Sequence, residues 1–324
     1  QGAIVRFDKD RIKTPKACWT MSDAPAAFKD IYFTVRDGLR LYARHYPAAR
    51  PGKTRPVLCL AGLTRNSRDF HRIAGALAAD AAAPRDVYTL DTRGRGLSEH
   101  DGNWKNYTVP NEMQDVLDFM TMMELTDCGI IGTSRGGLIT MVMAAAQPTR
   151  IGAAVLNDIG PVIETQGLMR IAGYVGRTPL PKSWSDAART VGELMSRDFP
   201  TLKGEEAEAF ARQLFNDRNG RPAPGYDAKI ARGFSMLDGP MPQLWPQFAA
   251  LKNAPVLVVR GANSDLLSQA TVDEMTRRHP NCSSHTVPGE GHAPLLWDAP
   301  TIAAIASFFA GTDASHRARA SAAA

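Results

Sequence analysis

The sequence predicts an α/β fold: a mostly parallel central sheet with helices on both faces and a helical cap inserted late in the chain. Three observations predict it. Short apolar or β-rich runs alternate with helix-patterned segments from Pro56 to Leu156, the order that builds parallel βαβ units. That alternation stops at Pro161 and resumes at Pro255. A glycine-flanked serine, Gly132–Thr133–Ser134–Arg135–Gly136, stands between one apolar run and the next helix.

The elements follow in order. Residues 1–28 have mixed polarity and no period, and are expected to form an N-terminal extension on the surface. Ile31–Val35 and Leu39–Tyr46 flank Arg36–Asp37–Gly38, a hairpin signal. Pro56–Leu60 is continuously apolar, as suits a strand buried on both faces. Phe70–Ala82 reads as helix, Asp86–Leu90 as strand, and Asn111–Leu125 as helix with Met113, Val116, Leu117 and Met120 on one face. Cys128–Gly132, Gly136–Ala146 and Ile151–Leu156 read as strand, helix and strand. Residues 29–160 and 252–310 are therefore assigned to the core domain. Residues 161–251 form the cap, with helical patterns at Ala187–Met195 and Glu205–Phe215 and a turn-rich Asn216–Gly220. Pro255–Val259 and Ser284–Val287 read as strands, with Ser268–Arg278 and Pro300–Phe309 as helices. Residues 311–324 are small and charge-rich, and are expected to be disordered.

The serine turn has a steric logic. A serine on a tight strand-to-helix turn holds strained backbone angles, and glycines two before and two after remove Cβ atoms that would collide with the neighbouring elements. The start of the helix also points N–H groups at the reacting centre. On these residues the chain resembles the α/β-hydrolases from about Tyr32 to Phe309, closest in style to capped carboxylesterases, lactonases and carbon–carbon bond hydrolases.

The resemblance implies site residues. Ser134 is the nucleophile. Leu58–Cys59–Leu60–Ala61–Gly62–Leu63 resembles the oxyanion segment of the family, with Ala61 where the family commonly has His. It implies oxyanion donors at the N–H groups of Leu63 and Arg135. Asp91–Thr92–Arg93–Gly94–Arg95–Gly96–Leu97–Ser98 resembles the D-x-R-G-x-G-x-S segment of the family, whose charges are suited to cross-linking loops. It lacks the Lys-Ser/Thr ending of a phosphate loop. The order Ser, Asp, His implies His292, in Gly289–Glu290–Gly291–His292, as the base and Asp265 as the acid. Asp158, in Asn157–Asp158–Ile159–Gly160, is the alternative acid, with bracing of the cap entrance as its other reading. The chemistry fits: a serine hydroxyl needs an imidazole to take its proton, and the imidazole needs a carboxylate to fix its tautomer. The other histidines have no comparable setting, and no HExxH or H-x-E pattern points to a metal mechanism.

Above the serine, the cap offers apolar residues for a pocket. Met169, Trp184, Met236, Met241 and Trp245 are candidate substrate contacts. Arg65 and Arg135 flank the oxyanion segment, where either is suited to a substrate carboxylate or to bracing outside the pocket.

Bulk properties exclude other classes. The chain has 324 residues, 44% hydrophobic and 22% charged, which affords a normal core. The net charge of +5 is scattered, so no nucleic-acid partner is expected. No apolar run approaches the roughly 18 residues that span a bilayer, and no membrane association is expected. Cys18, Cys59, Cys128 and Cys282 form no CxxC pair, which favours a reducing, cytoplasmic location. The chain starts at Gln1, which leaves room for a leader removed in processing. The oligomeric state is open, a homodimer being one option. The expected activity is cofactor-free hydrolysis of a small carboxylic ester or lactone. The same triad also suits a carbon–carbon bond hydrolase or an amidase, and a non-catalytic ligand receptor can retain it. An Asp-nucleophile epoxide hydrolase or dehalogenase does not fit a serine at position 134.

Overall fold

The hairpin Lys29–Thr34 (β1) and Arg40–Tyr46 (β2) pairs antiparallel with Ile31 opposite Ala43, and Gly38 turns it at φ +90°. The structure is a computed structural model that describes residues 27–323 except 51, 53, 178 and 237–241. Side chains are not described at 234–236 and 316–323. After the hairpin come Val57–Leu60 (β3), His71–Ala79 (α1), Val87–Asp91 (β4) and Val109–Met122 (α2). They are followed by Cys128–Thr133 (β5), Arg135–Ala146 (α3) and Ile151–Asn157 (β6).

The inserted segment then contributes Thr165–Tyr174 (α4), Trp184–Met195 (α5), Glu205–Leu214 (α6), Asn216–Arg218 (β7) and Arg221–Ala223 (β8). A 3₁₀ segment, Ala228–Met236, and the short Trp245–Ala249 (α7) complete it. The sheet resumes with Val256–Gly261 (β9), Gln269–Arg278 (α8), Cys282–Val287 (β10) and Ala299–Ala323 (α9).

Among the described residues, eight strands form one sheet in the order β1-β2-β4-β3-β5-β6-β9-β10, parallel from β4 to β10. β3, β4 and β6 are buried along their whole length because helices cover both faces. Successive side chains alternate between those faces. Leu58 and Leu60 join Phe119, Ile139 and Val272 under α2, α3 and α8. Val57 and Cys59 join Ile73, Leu77, Ile305 and Phe309 under α1 and α9. Burial of each large side chain of this kind contributes about 1.5–3 kcal/mol. No helix among the described residues is long and apolar enough to cross a membrane.

The cap has its own small core of Val191, Phe199, Leu202 and Phe210, between α5 and α6. The turn-rich Asn216–Gly220 forms β7 and the turn of a hairpin with β8. Asn219 and Gly220 both take positive φ, as a two-residue primed turn requires. The two ends of the inserted segment come together. The Leu244 N–H donates to Pro161 O at 2.7 Å, so the chain leaves the body and returns to it at one point. Leu244, Trp245 and Phe248 pack into the main core.

The C-terminal expectation is also corrected. Instead of a disordered tail from 311, α9 continues to Ala323. Its alanines favour helix. Asp313, buried, places Oδ2 3.0 Å from Nη1 of the buried Arg85, which ties the segment to the body. Of the expected N-terminal extension, residues 1–26 lie outside the described residues, and the Phe28 ring packs 5.4 Å from that of Tyr46.

Candidate active site

Ser134 occupies the turn between β5 and α3, with φ 52° and ψ −114°, a backbone region that residues other than glycine rarely adopt. Its N–H donates to Asn157 O at 3.0 Å, which fixes the turn against β6. Close packing demands the flanking glycines. A Cβ on Gly136 would lie 2.0 Å from Leu60 O, and one on Gly132 would lie 2.7 Å from Gly136 O.

The turn aims the serine at a histidine from the far end of the chain. Ser134 Oγ lies 2.9 Å from Nε2 of His292, and His292 Nδ1 lies 2.8 Å from Oδ2 of Asp158. Asp158, the first residue after β6, is wholly buried, and its N–H donates to Val259 O at 2.7 Å. Its Oδ1 accepts the Gly261 N–H at 2.9 Å, and its Oδ2 also accepts the Ser264 hydroxyl at 2.5 Å. These bonds aim the carboxylate at the imidazole.

Asp265 does not meet the histidine, and the expectation that placed it there is corrected. Arg170 of the cap takes it with Nε at 2.7 Å and Nη2 at 2.8 Å. These hydrogen bonds hold the Asp265 carboxyl below its ordinary value against the opposing effect of burial. Asp265 therefore fastens α4 to the body. Arg170 Nη1 also lies 3.0 Å from Asp198, whose carbonyl accepts the Gly291 N–H at 2.7 Å, beside His292.

A cavity of about 260 Å³ opens above the serine. Gly62, Leu63, Thr64, Ser134 and His292 line its floor. Its walls are mainly apolar, with Ile171 and Tyr174 from α4, Val191 and Leu194 from α5, Phe210 from α6, and Tyr226. A Cβ on Gly62 would lie 3.7 Å from that of Ser134, so the Leu63 segment borders the serine closely. Arg135 opens α3, so its N–H belongs to the first turn, where amide donors have no partner inside the helix.

Residues 55–299 match the family model described as alpha/beta hydrolase fold. The chain belongs to the α/β-hydrolase fold family. This α/β hydrolase is 33% identical over 269 residues to the 3-hydroxybutyrate-oligomer hydrolase of Cupriavidus necator, covering 81% of this chain and 90% of that protein. It is 24% identical over 266 residues to esterase YbfF of Escherichia coli, covering 78% of this chain and 92% of that protein. Among solved structures, an α/β hydrolase from Novosphingobium aromaticivorans superposes with a TM-score of 0.81 at 39% identity, covering 89% of this chain and 99% of that one.

Within this α/β hydrolase, several expected substrate contacts lie elsewhere. Met169 is 67% exposed and does not line the cavity. Trp184 packs on the cap's own core beneath the Arg212 guanidinium, at 4.5 Å. Trp245 packs on the body beneath Arg278, at 4.1 Å. The side chain of Met236 and the whole of Met241 lie outside what is described. Arg65 lines the cavity, but Asp69 takes its guanidinium with two bonds of 2.7 Å, and it lies 4.2 Å over the Phe210 ring. The Arg135 side chain is likewise engaged, with Nε 2.5 Å from Glu112 Oε2. Both guanidiniums thus brace the site. The α5 and α6 wall residues carried a helical apolar pattern in the sequence, but periodicity alone does not separate a face turned to the cap's core from one turned to a cavity.

Proposed function

We propose that this α/β hydrolase cleaves a small carboxylic ester or lactone through an acyl-enzyme on Ser134, with His292 as base and Asp158 as the acid that orients it. The carrying observation is the continuous path from Ser134 Oγ to His292 Nε2 at 2.9 Å, and from His292 Nδ1 to Asp158 Oδ2 at 2.8 Å, on the floor of an apolar cavity.

His292 takes the hydroxyl proton as Ser134 Oγ adds to the carbonyl carbon. The carbonyl oxygen becomes an oxyanion held by the N–H groups of Leu63 and Arg135, aimed where the charge develops. His292 then gives the proton to the leaving alcohol as the C–O bond breaks. Water, deprotonated by His292, adds to the acyl group, and the serine leaves with the proton returned. Asp158 keeps the proton on Nδ1 throughout and stabilises the imidazolium.

The walls suit aliphatic groups, and the relative named for 3-hydroxybutyrate oligomers supports short, methyl-branched esters as the class. A panel of p-nitrophenyl acetate, butyrate and octanoate, γ-butyrolactone and linear 3-hydroxybutyrate trimer tests this beside Ser134→Ala. Expected are an initial product burst with the activated esters, turnover of the trimer, and fluorophosphonate labelling at Ser134. Full rate retained in Ser134→Ala would overturn the reading.

A further inference from the structure

We propose that Arg95 and Glu112 act with the Arg135 side chain as a buried positioning relay that sets the two oxyanion donors relative to each other. This rests on the reading that the N–H groups of Leu63 and Arg135 hold the oxyanion. Those two residues come from separate loops, one after β3 and one after β5, and the pairing of those strands ties the two segments only as far as Leu60 and Gly132.

The link is made by side chains. Arg95, wholly buried in the loop after β4, donates from Nε to Leu63 O at 2.8 Å. Its Nη1 donates to Arg93 O at 2.6 Å and to Glu112 Oε1 at 2.8 Å. Glu112, wholly buried in the first turn of α2, also accepts Arg135 Nε on Oε2 at 2.5 Å and Nη2 on Oε1 at 3.0 Å. Arg135 Nη2 donates further to Tyr107 O at 3.1 Å. One carboxylate therefore joins the guanidinium that holds the Leu63 carbonyl to the side chain of the residue after Ser134.

Stability alone is a weak reason for such a group. Desolvating a carboxylate and two guanidiniums offsets much of their attraction, and apolar replacements of buried ion pairs are often neutral or better. Arg95 Nη2 is buried with no hydrogen-bond partner among the described residues, so the arrangement is not optimised for satisfied bonds. Burial pushes the Glu112 carboxyl up, yet Arg135 and Arg95 outweigh it and hold the group below its ordinary value. The ionised triad carries one net positive charge beside both donor residues. The loop of Arg95 also meets the cap: the Gly96 N–H donates to Gly225 O at 2.8 Å, and the Asp227 N–H donates to Gly94 O at 2.8 Å. Seating of the cap and the spacing of the oxyanion donors thus share one loop.

Bracing and bare charge make opposite predictions for Glu112→Gln, which keeps the shape and leaves two cations. Bracing predicts a kcat lower by about 10–100-fold, since a small misplacement of donors weakens transition-state binding. KM stays within about twofold, because the ground state uses these donors little. Arg95→Lys is expected to behave likewise, and affinity for a trifluoromethyl ketone, whose serine adduct carries the oxyanion, falls in parallel. The pH dependence of kcat/KM stays unchanged, because His292 and Asp158 are untouched. Folded Glu112→Gln and Arg95→Lys proteins with wild-type kcat and ketone affinity would overturn the proposal, as would a faster Glu112→Gln. If neither variant folds, Arg135→Met is read instead, its guanidinium being partly solvent-facing. The same fall in kcat is expected there, and an unchanged kcat refutes the relay. Ser134→Ala in the same assay separates the two levels. Activity surviving in it sinks the catalytic reading, whereas an inactive Ser134→Ala beside a full-speed Glu112→Gln sinks the relay alone.

Discussion

Oδ2 of Asp158 lies 2.8 Å from Nδ1 of His292, while the carboxylate of Asp265, beyond β9, is held by Arg170 at 2.7 and 2.8 Å. The two aspartates therefore separate by experiment. Asp158→Asn is expected to lower kcat by about 10,000-fold, because the amide favours the wrong imidazole tautomer. Asp265→Asn is expected to lower it less than about tenfold, acting through the seating of the cap. Steady-state kinetics of both variants on one activated ester decide between them, and the reverse ranking would restore Asp265 as the acid.

Glu290 introduces a pH dependence of stability. Burial, reinforced by the nearby carboxylates of Asp298 and Glu206, raises its carboxyl from 4.5 to about 7, although the Leu295 N–H donates to it at 2.8 Å. Between about pH 4.5 and 7 the unfolded chain releases this proton and the folded chain keeps it. Stability from this group is present in full below that window and falls as pH rises through it, by on the order of 3 kcal/mol. Glu290→Gln removes the loss. Thermal melts at pH 5 and pH 8 are expected to show the variant gaining on wild type only at the higher pH. An equal difference at both values would refute the assignment.

Asp313 anchors the last helix. It lies 3.0 Å from Arg85, and both side chains are almost wholly buried. Asp313→Ala leaves the guanidinium without its carboxylate and is expected to cost about 3–5 kcal/mol, read by urea denaturation. Arg85→Met combined with Asp313→Leu is expected to recover most of it. A tail without a structural part would show neither effect.

Leu194 stands at the mouth of the cavity, lining it while 53% exposed. Leu194→Ala removes apolar contact that only longer chains reach, at about 0.8 kcal/mol per methylene. The kcat/KM ratio of octanoate to acetate ester is expected to fall about 3–10-fold with little change in Tm. An unaltered ratio would place the long chain elsewhere in the cavity.

The features legible along the chain were local ones. The alternation of apolar runs and helical patterns is set by periods of two and 3.6 residues, and it specified the sheet, its covering helices and the interruption after β6. The Ser134 turn was legible because its steric demands fall within five consecutive residues. His292 was legible from its loop and from resemblance. Tertiary structure alone decided the rest. Asp158 and Asp265 both follow core strands. Asp158 faces His292, whereas Asp265 is held by Arg170, 95 residues before it in the chain. The apolar residues of the cap were visible, but whether Trp184 or Val191 looks into the cavity depends on how α5 packs against α6. The C-terminal residues read as a free tail until Arg85, buried more than two hundred residues earlier, brought Asp313 against the body. Periodicity and glycine sterics act within a few residues and so can be read along the chain. The pairing of distant charges is settled only when packing brings them together and removes the water between them.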